Sequence, residues 1–242
     1  MLSNYIDIHG HILPGVDDGS KSIEETIHMI EKAVVQGIKT MIATPHYRCG
    51  GKNVDVTKLE EIRDMVQEEA IKIDKEFRIY LGNELMYSDS LLEAVKEKKA
   101  LTLAGSRYVL IEFSTRISYE TMYKGMRSFI GAGFAPIIAH VERYECLRKK
   151  VNLIGELIEL GCYIQMNSSS LLGGVFNIEA LYRRKLVHEG MVHLIASDSH
   201  DRYYRVPLME DIVKILSKKT DVTIMEDIFY HNPRKILENK YI

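Results

Sequence analysis

His9-Gly10-His11 places two imidazoles two positions apart, a spacing that a β-strand projects to one face. The same residue types recur downstream in Asp17-Asp18-Gly19, Thr44-Pro45-His46, Asn83-Glu84, Ala139-His140 and Ser197-Asp198-Ser199-His200, and Glu112 follows the apolar run Val109-Leu110-Ile111. Taken singly, a histidine at a strand end is usually a hydrogen-bonded structural residue, and a lone carboxylate is usually solvated. Taken together, unpaired carboxylates crowded at one place would repel one another and suffer desolvation, a conflict that divalent cations remove. The candidate ligands are His9, His11, Asp18, His46, Glu84, Glu112, His140, Asp198 and His200. Nine exceed what one ion needs, so the set implies two or three ions sharing bridging carboxylates. A nitrogen and oxygen set without thiolates suits Mn, Fe or Zn, whereas Mg alone would take fewer imidazoles. The remaining histidines read as ordinary: His28 and His188 on helices, His193 inside a strand, and His231 ahead of an Asn232-Pro233 turn.

Adjacent metal ions generate hydroxide near neutral pH and clamp the attacking and leaving oxygens of a phosphoryl displacement. Such a reaction wants guanidinium groups that fork onto phosphate oxygens. Arg48 just past His46, Arg143 just past His140 and Arg205 five residues past His200 are the candidates. Tyr47, Tyr144, Tyr203 and Tyr204 are placed to line a mouth or to sit on its rim. A thiol phosphatase is excluded by spacing. It needs an arginine six positions beyond its cysteine, and here Cys49, Cys146 and Cys162 are followed at that distance by Asp55, Asn152 and Ser168. No Cys-x-x-Cys pair suggests a disulfide scaffold or a thiolate zinc site.

The elements that must position these residues alternate strand and helix. Short β-rich runs near 5–9, 38–43, 77–82, 107–113, 134–139, 162–166 and 191–196 make seven strands, six of which finish in His, Asp or Glu. Several are continuously apolar, as parallel strands covered on both faces are. Ser22-x-x-Glu25 and Thr57-x-x-Glu60 read as capping boxes, Gly37 as a helix stop, and Ile62, Met65, Val66 and Ile73 as the inner stripe of the second helix. Further helical patterns cover roughly 88–97, 119–131, 150–160, 178–189, 208–218 and a tail after 222. The expected fold is α/β, a seven-stranded β/α barrel of the TIM type in a single domain, residues 1–242, with an open doubly wound sheet as the alternative. Gly131-x-Gly133 precedes a strand instead of following one, so it is no dinucleotide fingerprint. A hydrophobic fraction of 46% supports a sizeable core, and a net charge of −2 gives no general attraction to nucleic acid or anionic lipid. No apolar run is long enough for membrane insertion, and the start of the chain has no basic segment of the signal-peptide kind, so a cytoplasmic location is expected.

Asp7-Ile8-His9-Gly10-His11 with Asp17-Asp18-Gly19-Ser20, Ala43-Thr44-Pro45-His46, Ala139-His140-Val141-Glu142-Arg143 and Ser197-Asp198-Ser199-His200 together resemble the PHP (polymerase and histidinol phosphatase) superfamily. More narrowly, they resemble its bacterial manganese-dependent tyrosine-protein phosphatases of capsule and exopolysaccharide gene clusters, over nearly the whole chain. The resemblance implies a distorted seven-stranded barrel, the PHP fold, with a trinuclear Mn site. It implies His9, His11, Glu84 and Asp198 on one ion, Glu84, Glu112 and His140 on a second, and Asp18, His46 and His200 on a third. It also implies Arg143 and Arg205 as phosphate-contacting residues. The substrate implied is a phosphotyrosine protein, the cognate tyrosine kinase of polysaccharide synthesis. A small-molecule phosphatase such as a histidinol-phosphate phosphatase, a nuclease of the same superfamily, and a non-catalytic metal-binding module are the rival readings. The acidic balance and the missing basic stripe speak against nucleic acid, and the full ligand set speaks against a module without activity.

Overall fold

The computed structural model describes residues 4–174 and 176–242. The chain runs β1 (Tyr5–Gly10), α1 (Ile23–Val35), β2 (Ile38–Ala43), β3 (His46–Tyr47), α2 (Val56–Ile73), β4 (Arg78–Leu81) and β5 (Glu84–Met86). It continues through α3 (Leu91–Lys96), β6 (Tyr108–Glu112), α4 (Tyr119–Gly131), β7 (Ala135–Ile138), α5 (Val151–Leu160), β8 (Tyr163–Asn167), α6 (Ile178–His188) and β9 (Leu194–Ala196). α7 (Met209–Leu216), α8 (Val222–Glu226), a π-helical turn (Asp227–His231) and α9 (Asn232–Leu237) follow.

Every strand pair described is parallel. One sheet has the order β1-β2-β4 and the other β3-β5-β6-β7-β8-β9. Only Thr44-Pro45 separates β2 from β3, and only Gly82-Asn83 separates β4 from β5, so the two sheets follow one another along the same path. The join has a local cause. Pro45 has no N–H to offer a ladder, and a Cβ on Gly82 would lie 2.8 Å from Leu103 Cδ2. Hydrogen bonds carry on through it, from Thr44 N–H to Gly10 O and from Gly82 N–H to Ala43 O, both 2.9 Å. At the far end, His11 N–H donates to Ser199 O (2.8 Å) and Asp198 N–H to His9 O (2.9 Å), so the segment after β9 returns to β1. The result is a mixed α/β fold around a curled parallel sheet.

β6 and β7 are apolar throughout and buried except at Glu112, because helices cover one face and a second apolar cluster fills the other. Ile6, Ile8, Tyr108, Leu110, Ile137 and Leu194 form that second cluster with Ile236, while Val109, Ile111, Ile138, Ile164 and Met166 pack with the helices. The side chains of β8 alternate accordingly, and its other positions are Tyr163, packed against the second cluster, and the polar Gln165 and Asn167.

Several local expectations are corrected. The third expected strand is not one piece: β4 stops at Leu81, and Glu84 opens β5. Ser22 caps α1, accepting the Glu25 N–H at 3.3 Å, but Glu25 reaches back to the Lys21 N–H (2.8 Å) and not to Ser22. The cap of α2 is Asp55, whose carboxylate accepts the Thr57 N–H at 2.9 Å, a contact worth about 1 kcal/mol. Leu59, Val66 and Ala70 make its buried stripe. Met65, one residue or about 100° round from Val66, is 43% exposed. His193 precedes β9 instead of lying in it, because its ring replaces a rung of the ladder: His193 N–H donates to Ile164 O (3.0 Å) while its Nδ1 accepts the Ile164 N–H (3.1 Å). His231 ends the π-helical turn and no chain reversal follows, since Pro233 sits in the first turn of α9 where no N–H is required. No described helix is long and apolar enough to cross a membrane.

Candidate metal centre

The nine candidate ligands lie in or just past the carboxyl ends of strands, in the loop after β1, or, for His46 and Glu84, at the first residue of a strand just past the joins that follow β2 and β4. His9 belongs to β1 and His11 follows it; His46 opens β3, Glu84 opens β5 and Glu112 ends β6; His140 follows β7, and Asp198 and His200 follow β9. Asp18 comes from the loop after β1, where Gly19 is obligatory because a Cβ would stand 2.2 Å from His11 O.

Glu84 is the centre of the cluster. Its Oε2 lies 3.3 Å from His9 Nε2, 3.2 Å from His11 Nε2 and 3.0 Å from His46 Nδ1, and its Oε1 lies 2.8 Å from His140 Nε2. Asp198 Oδ1 stands 3.4 Å from His9 Nε2 and 3.5 Å from His11 Nε2. Asp18 Oδ1 is 3.2 Å from His46 Nε2 and 3.5 Å from His200 Nε2, and Glu112 Oε1 is 3.3 Å from His140 Nε2. Three groups have donor atoms close enough to share an ion: His9, His11, Glu84 and Asp198; His11, Asp18, His46 and His200; and His46, Glu84 and Glu112. The first is the grouping that the superfamily resemblance implies. The other groups differ from it by adding His11 to the Asp18 set and by putting His46 beside Glu84 and Glu112, although His140 touches both carboxylates.

These residues fit divalent cations. Asp198 Oδ1, Glu112 Oε2 and His200 Nε2 are buried without a hydrogen bond, which native interiors rarely tolerate. His9 Nε2 and His11 Nε2 face each other at 3.3 Å, a placement that suits two lone pairs aimed at a common point. Without ions, protons must do the neutralising. Burial disfavours the His11 cation, yet Asp17 and Glu84 hold that ring up to about 10. Burial likewise opposes the charge on His140, and Glu112 and Glu84 raise it to about 9. Burial would raise Glu84, but the surrounding histidines hold its carboxyl well below the usual range. His200 goes the other way, down to about 4, through burial and the charge of His11. Cations entering this cluster would displace those protons.

Two of the candidate ligands carry left-handed backbone. His140 has φ +33° and Asp198 φ +51°, left-handed values that cost a non-glycine residue roughly 1–2 kcal/mol. Residues that sequence reasoning passed over as ligands hold the cluster in place. Asp17, the neighbour of the expected ligand Asp18, bonds His11 Nδ1 at 2.7 Å and the His46 N–H at 3.0 Å, which aims His11 Nε2 inward. Asp7 Oδ1 accepts the Ser197 N–H at 3.0 Å. Gln165, Asn167 and Glu142 form a further network beneath Asp198 and His140. The signal for the first two was available: polar residues two apart in an otherwise apolar strand.

Arg143 and Arg205 meet at one atom. Their Nη2 groups donate to Asp198 Oδ2 at 2.7 and 2.8 Å, and the two side chains are 39% and 40% exposed. Arg48 does not join them. Its side chain is exposed, and its backbone N–H and carbonyl bind the Asn53 side chain. Tyr144 does not line the mouth: it is buried, donating to Ala139 O (2.9 Å) and accepting the Phe113 N–H (3.1 Å). Tyr203 and Tyr204 are exposed at 66% and 90%, on a turn closed by Asp201.

The whole arrangement has known counterparts. The chain is 35% identical over 242 residues to the tyrosine-protein phosphatase CpsB of Streptococcus pneumoniae, covering 98% of this chain and 100% of that protein. It is 31% identical over 222 residues to the tyrosine-protein phosphatase YwqE of Bacillus subtilis, covering 88% and 84%. A solved structure from work on YwqE and S. pneumoniae CpsB, described as unique metal-dependent tyrosine phosphatases, superposes with a TM-score of 0.89 at 29% identity, covering 98% of this chain and 96% of that one. A phosphotriesterase homology protein of Escherichia coli shares the fold alone, at a TM-score of 0.61 and 13% identity. Residues 5–238 match the family described as capsular polysaccharide synthesis, CpsB/CapC, and the chain belongs to that family.

Proposed function

We propose that this protein is a metal-dependent phosphatase that hydrolyses phosphotyrosine in proteins, with His9, His11, Asp18, His46, Glu84, Glu112, His140, Asp198 and His200 as the ligands of two or three Mn ions. The observation that carries the reading is Asp198, which faces the ligand cluster with one oxygen and both arginines with the other. The relatives' activity supports the substrate class. When bound, the ions acidify water and neutralise phosphoryl oxygens. Arg143 and Arg205 turn from Asp198 Oδ2 to the phosphoryl oxygens, hold them in a fork, and offset the charge that grows toward the leaving oxygen. A phenol with a pKa of about 10 leaves without needing a strong general acid. The half-exposed arginines and the exposed Tyr203 and Tyr204 suit a tyrosine carried on a protein surface better than an enclosed metabolite such as histidinol phosphate. Arg48, outside the cluster, would meet the chain beside the phosphotyrosine. The partner in this reading is a bacterial tyrosine kinase of capsule or exopolysaccharide synthesis, and the protein works in the cytoplasm as one domain, residues 1–242. Each sheet join, at Thr44-Pro45 and at Gly82-Asn83, counts as one interrupted strand, which makes the fold a distorted seven-stranded PHP barrel.

The test is to purify the protein without chelator, count its ions, and compare a phosphotyrosine peptide, a phosphoserine peptide and histidinol phosphate with and without Mn. More than one ion per chain and a preference for phosphotyrosine are expected. Histidinol phosphate proving better by kcat/KM would overturn the substrate, and activity indifferent to chelation would overturn the metals.

A further inference from the structure

β8 supplies none of the nine candidate ligands, yet its two inward polar residues touch three of them. Gln165 Oε1 accepts the backbone N–H of His140 at 2.7 Å and lies 3.5 Å from His9 Nδ1. Gln165 Nε2 donates to Asn167 Oδ1 at 3.0 Å, and Asn167 Nδ2 donates to Asp198 Oδ2 at 2.6 Å. The backbone of Asn167 is fixed in turn, its N–H donating to Glu142 Oε1 at 3.1 Å. Gln165 and Asn167 are both buried.

Both ends of this chain of amides are unambiguous. A backbone N–H can only donate, so the Gln165 oxygen must face His140. An ionised carboxylate can only accept, so the Asn167 nitrogen must face Asp198. The middle bond then has one direction, and neither amide can flip alone. Resting on the metal-centre reading above, we infer that Gln165 and Asn167 are positioning residues, an amide relay that sets the poses of His140, His9 and Asp198 together. His140 and Asp198 are the two ligands with left-handed backbone, which would relax without an external hold. At His9, the Gln165 oxygen favours the tautomer with hydrogen on Nδ1, leaving the Nε2 lone pair for an ion. Asp198 Oδ2 receives three donors, Asn167 and the two arginines. When phosphate draws the arginines away, Asn167 is the donor that remains and keeps Oδ1 turned to the ligand cluster. The relay thus couples metal retention to the arginines' release.

Two near-isosteric variants test it. Asn167→Leu removes the donor to Asp198. Gln165→Glu keeps the acceptor for His140 but abolishes the donor to Asn167, so Asn167 must flip and turn its oxygen on Asp198. Metal-free protein is titrated with Mn alone, bound ions are counted by elemental analysis, and circular dichroism checks the fold. Each variant should lose about ten- to a hundredfold in affinity for one ion, and the double variant should lose no more than Asn167→Leu, since both act through Asp198. If Asn167→Leu fails to fold, Gln165→Glu alone decides, because it changes one atom. Parental Mn affinity in a folded single variant, or losses that add in the double variant, overturns the relay. A parent that takes up one ion or fewer overturns the metal centre itself, so the two failures are distinct.

Discussion

His140 and His193 are both histidines at the ends of strands, one just past the carboxyl end of β7 and the other just before the amino end of β9. Burial pulls both toward neutrality. At His140 two carboxylates reverse the outcome and hold the ring at about 9. At His193 no such partner intervenes, and the ring falls to about 4. The surroundings follow the same division. Around the amino end, the polar groups are spoken for: Asn232 Nδ2 donates to His193 O at 3.0 Å, and the Tyr108 hydroxyl donates to Lys240 O (2.8 Å) and accepts the Ile242 N–H (3.0 Å). Around the carboxyl end, carboxylate and imidazole atoms are buried without a hydrogen bond. One pole is finished by the chain itself. The other leaves buried carboxylate and imidazole atoms that the chain does not pair, which the proposed ions would satisfy.

The strongest way to break this division is to remove the centre of the carboxyl pole. Glu84→Ala should lower phosphotyrosine hydrolysis by roughly a thousandfold or more, because it takes a carboxylate away from adjacent cations. The circular dichroism spectrum should stay near native. Turnover near that of the parent in Mn-replete buffer would show that the pole does not need its central acid. Next in size are Arg143→Ala and Arg205→Ala, each expected to cost on the order of a hundred- to a thousandfold in kcat, as loss of one charge-stabilising donor does. Guanidinium has no lone pair for a metal, so elemental analysis should return the parent's full ion count. A fall in ions equal to the fall in rate would move the arginines' role from phosphate to the support of Asp198.

Much of the carboxyl pole was legible because its signals are local. A parallel barrel gathers strand ends at one face, so His and acidic residues directly after apolar runs foretell convergence without knowledge of register. What was missed depends on three-dimensional bonding. Arg48 and Arg143 look alike in sequence, each two or three residues past a candidate-ligand histidine. The turn after His140 brings Arg143 back to Asp198, whereas the segment after His46 leads Arg48 outward to Asn53. Tyr144 resembled a rim residue because only the fold reveals that its hydroxyl is taken by Ala139 and Phe113. The sheet joins at Pro45 and Gly82 bear their usual residues, but strand runs at the join were too short to separate by apolar pattern alone. The cap of α2 fell on Asp55 and not Thr57 for a related reason: both positions carry competent caps, and packing of Leu59, Val66 and Ala70 selects the frame.

The amino pole makes its own prediction. His193 is neutral in the folded protein because burial opposes its charge, and a proton on Nδ1 would also abolish the bond that this atom accepts from the Ile164 N–H. Its folded pKa, about 4, lies below the ordinary 6.5. Between these values the unfolded chain binds the extra proton, so stability is full above about pH 6.5 and is lost as pH falls toward 4. The loss approaches about 3 kcal/mol. His193→Asn keeps an acceptor for the same N–H without titrating, and its unfolding free energy should therefore fall less steeply from pH 7 to pH 4.5. Denaturant melts of metal-free protein at several pH values measure this. Parallel curves for the two proteins would place the acid sensitivity elsewhere, with the carboxyl pole the first suspect.

The smallest expected effect concerns the thiols. A nucleophilic cysteine needs a thiolate, hence a pKa lowered by nearby cations or a helix N-terminus. Burial pushes Cys162 up to about 12 and raises Cys146 as well. Cys162 packs in the main apolar cluster with Leu157 and Ile164, and Cys49 and Cys146 are only half-buried against it. None of the three appears among the ligand groups of the described residues, and none is expected to take part in the displacement at phosphorus. A protein carrying Cys49→Ser, Cys146→Ser and Cys162→Ala should keep kcat within a few-fold of the parent and remain sensitive to chelator. Alanine is chosen at 162 because a serine hydroxyl there would be buried without an assured partner, at about 1–3 kcal/mol, and lost stability would be mistaken for lost chemistry. The informative result is a folded, fully metal-loaded triple variant without activity. It would mean that a thiol attacks phosphorus, and the unsatisfied carboxyl pole would then have to be read as a binding site beside the chemistry instead of its source.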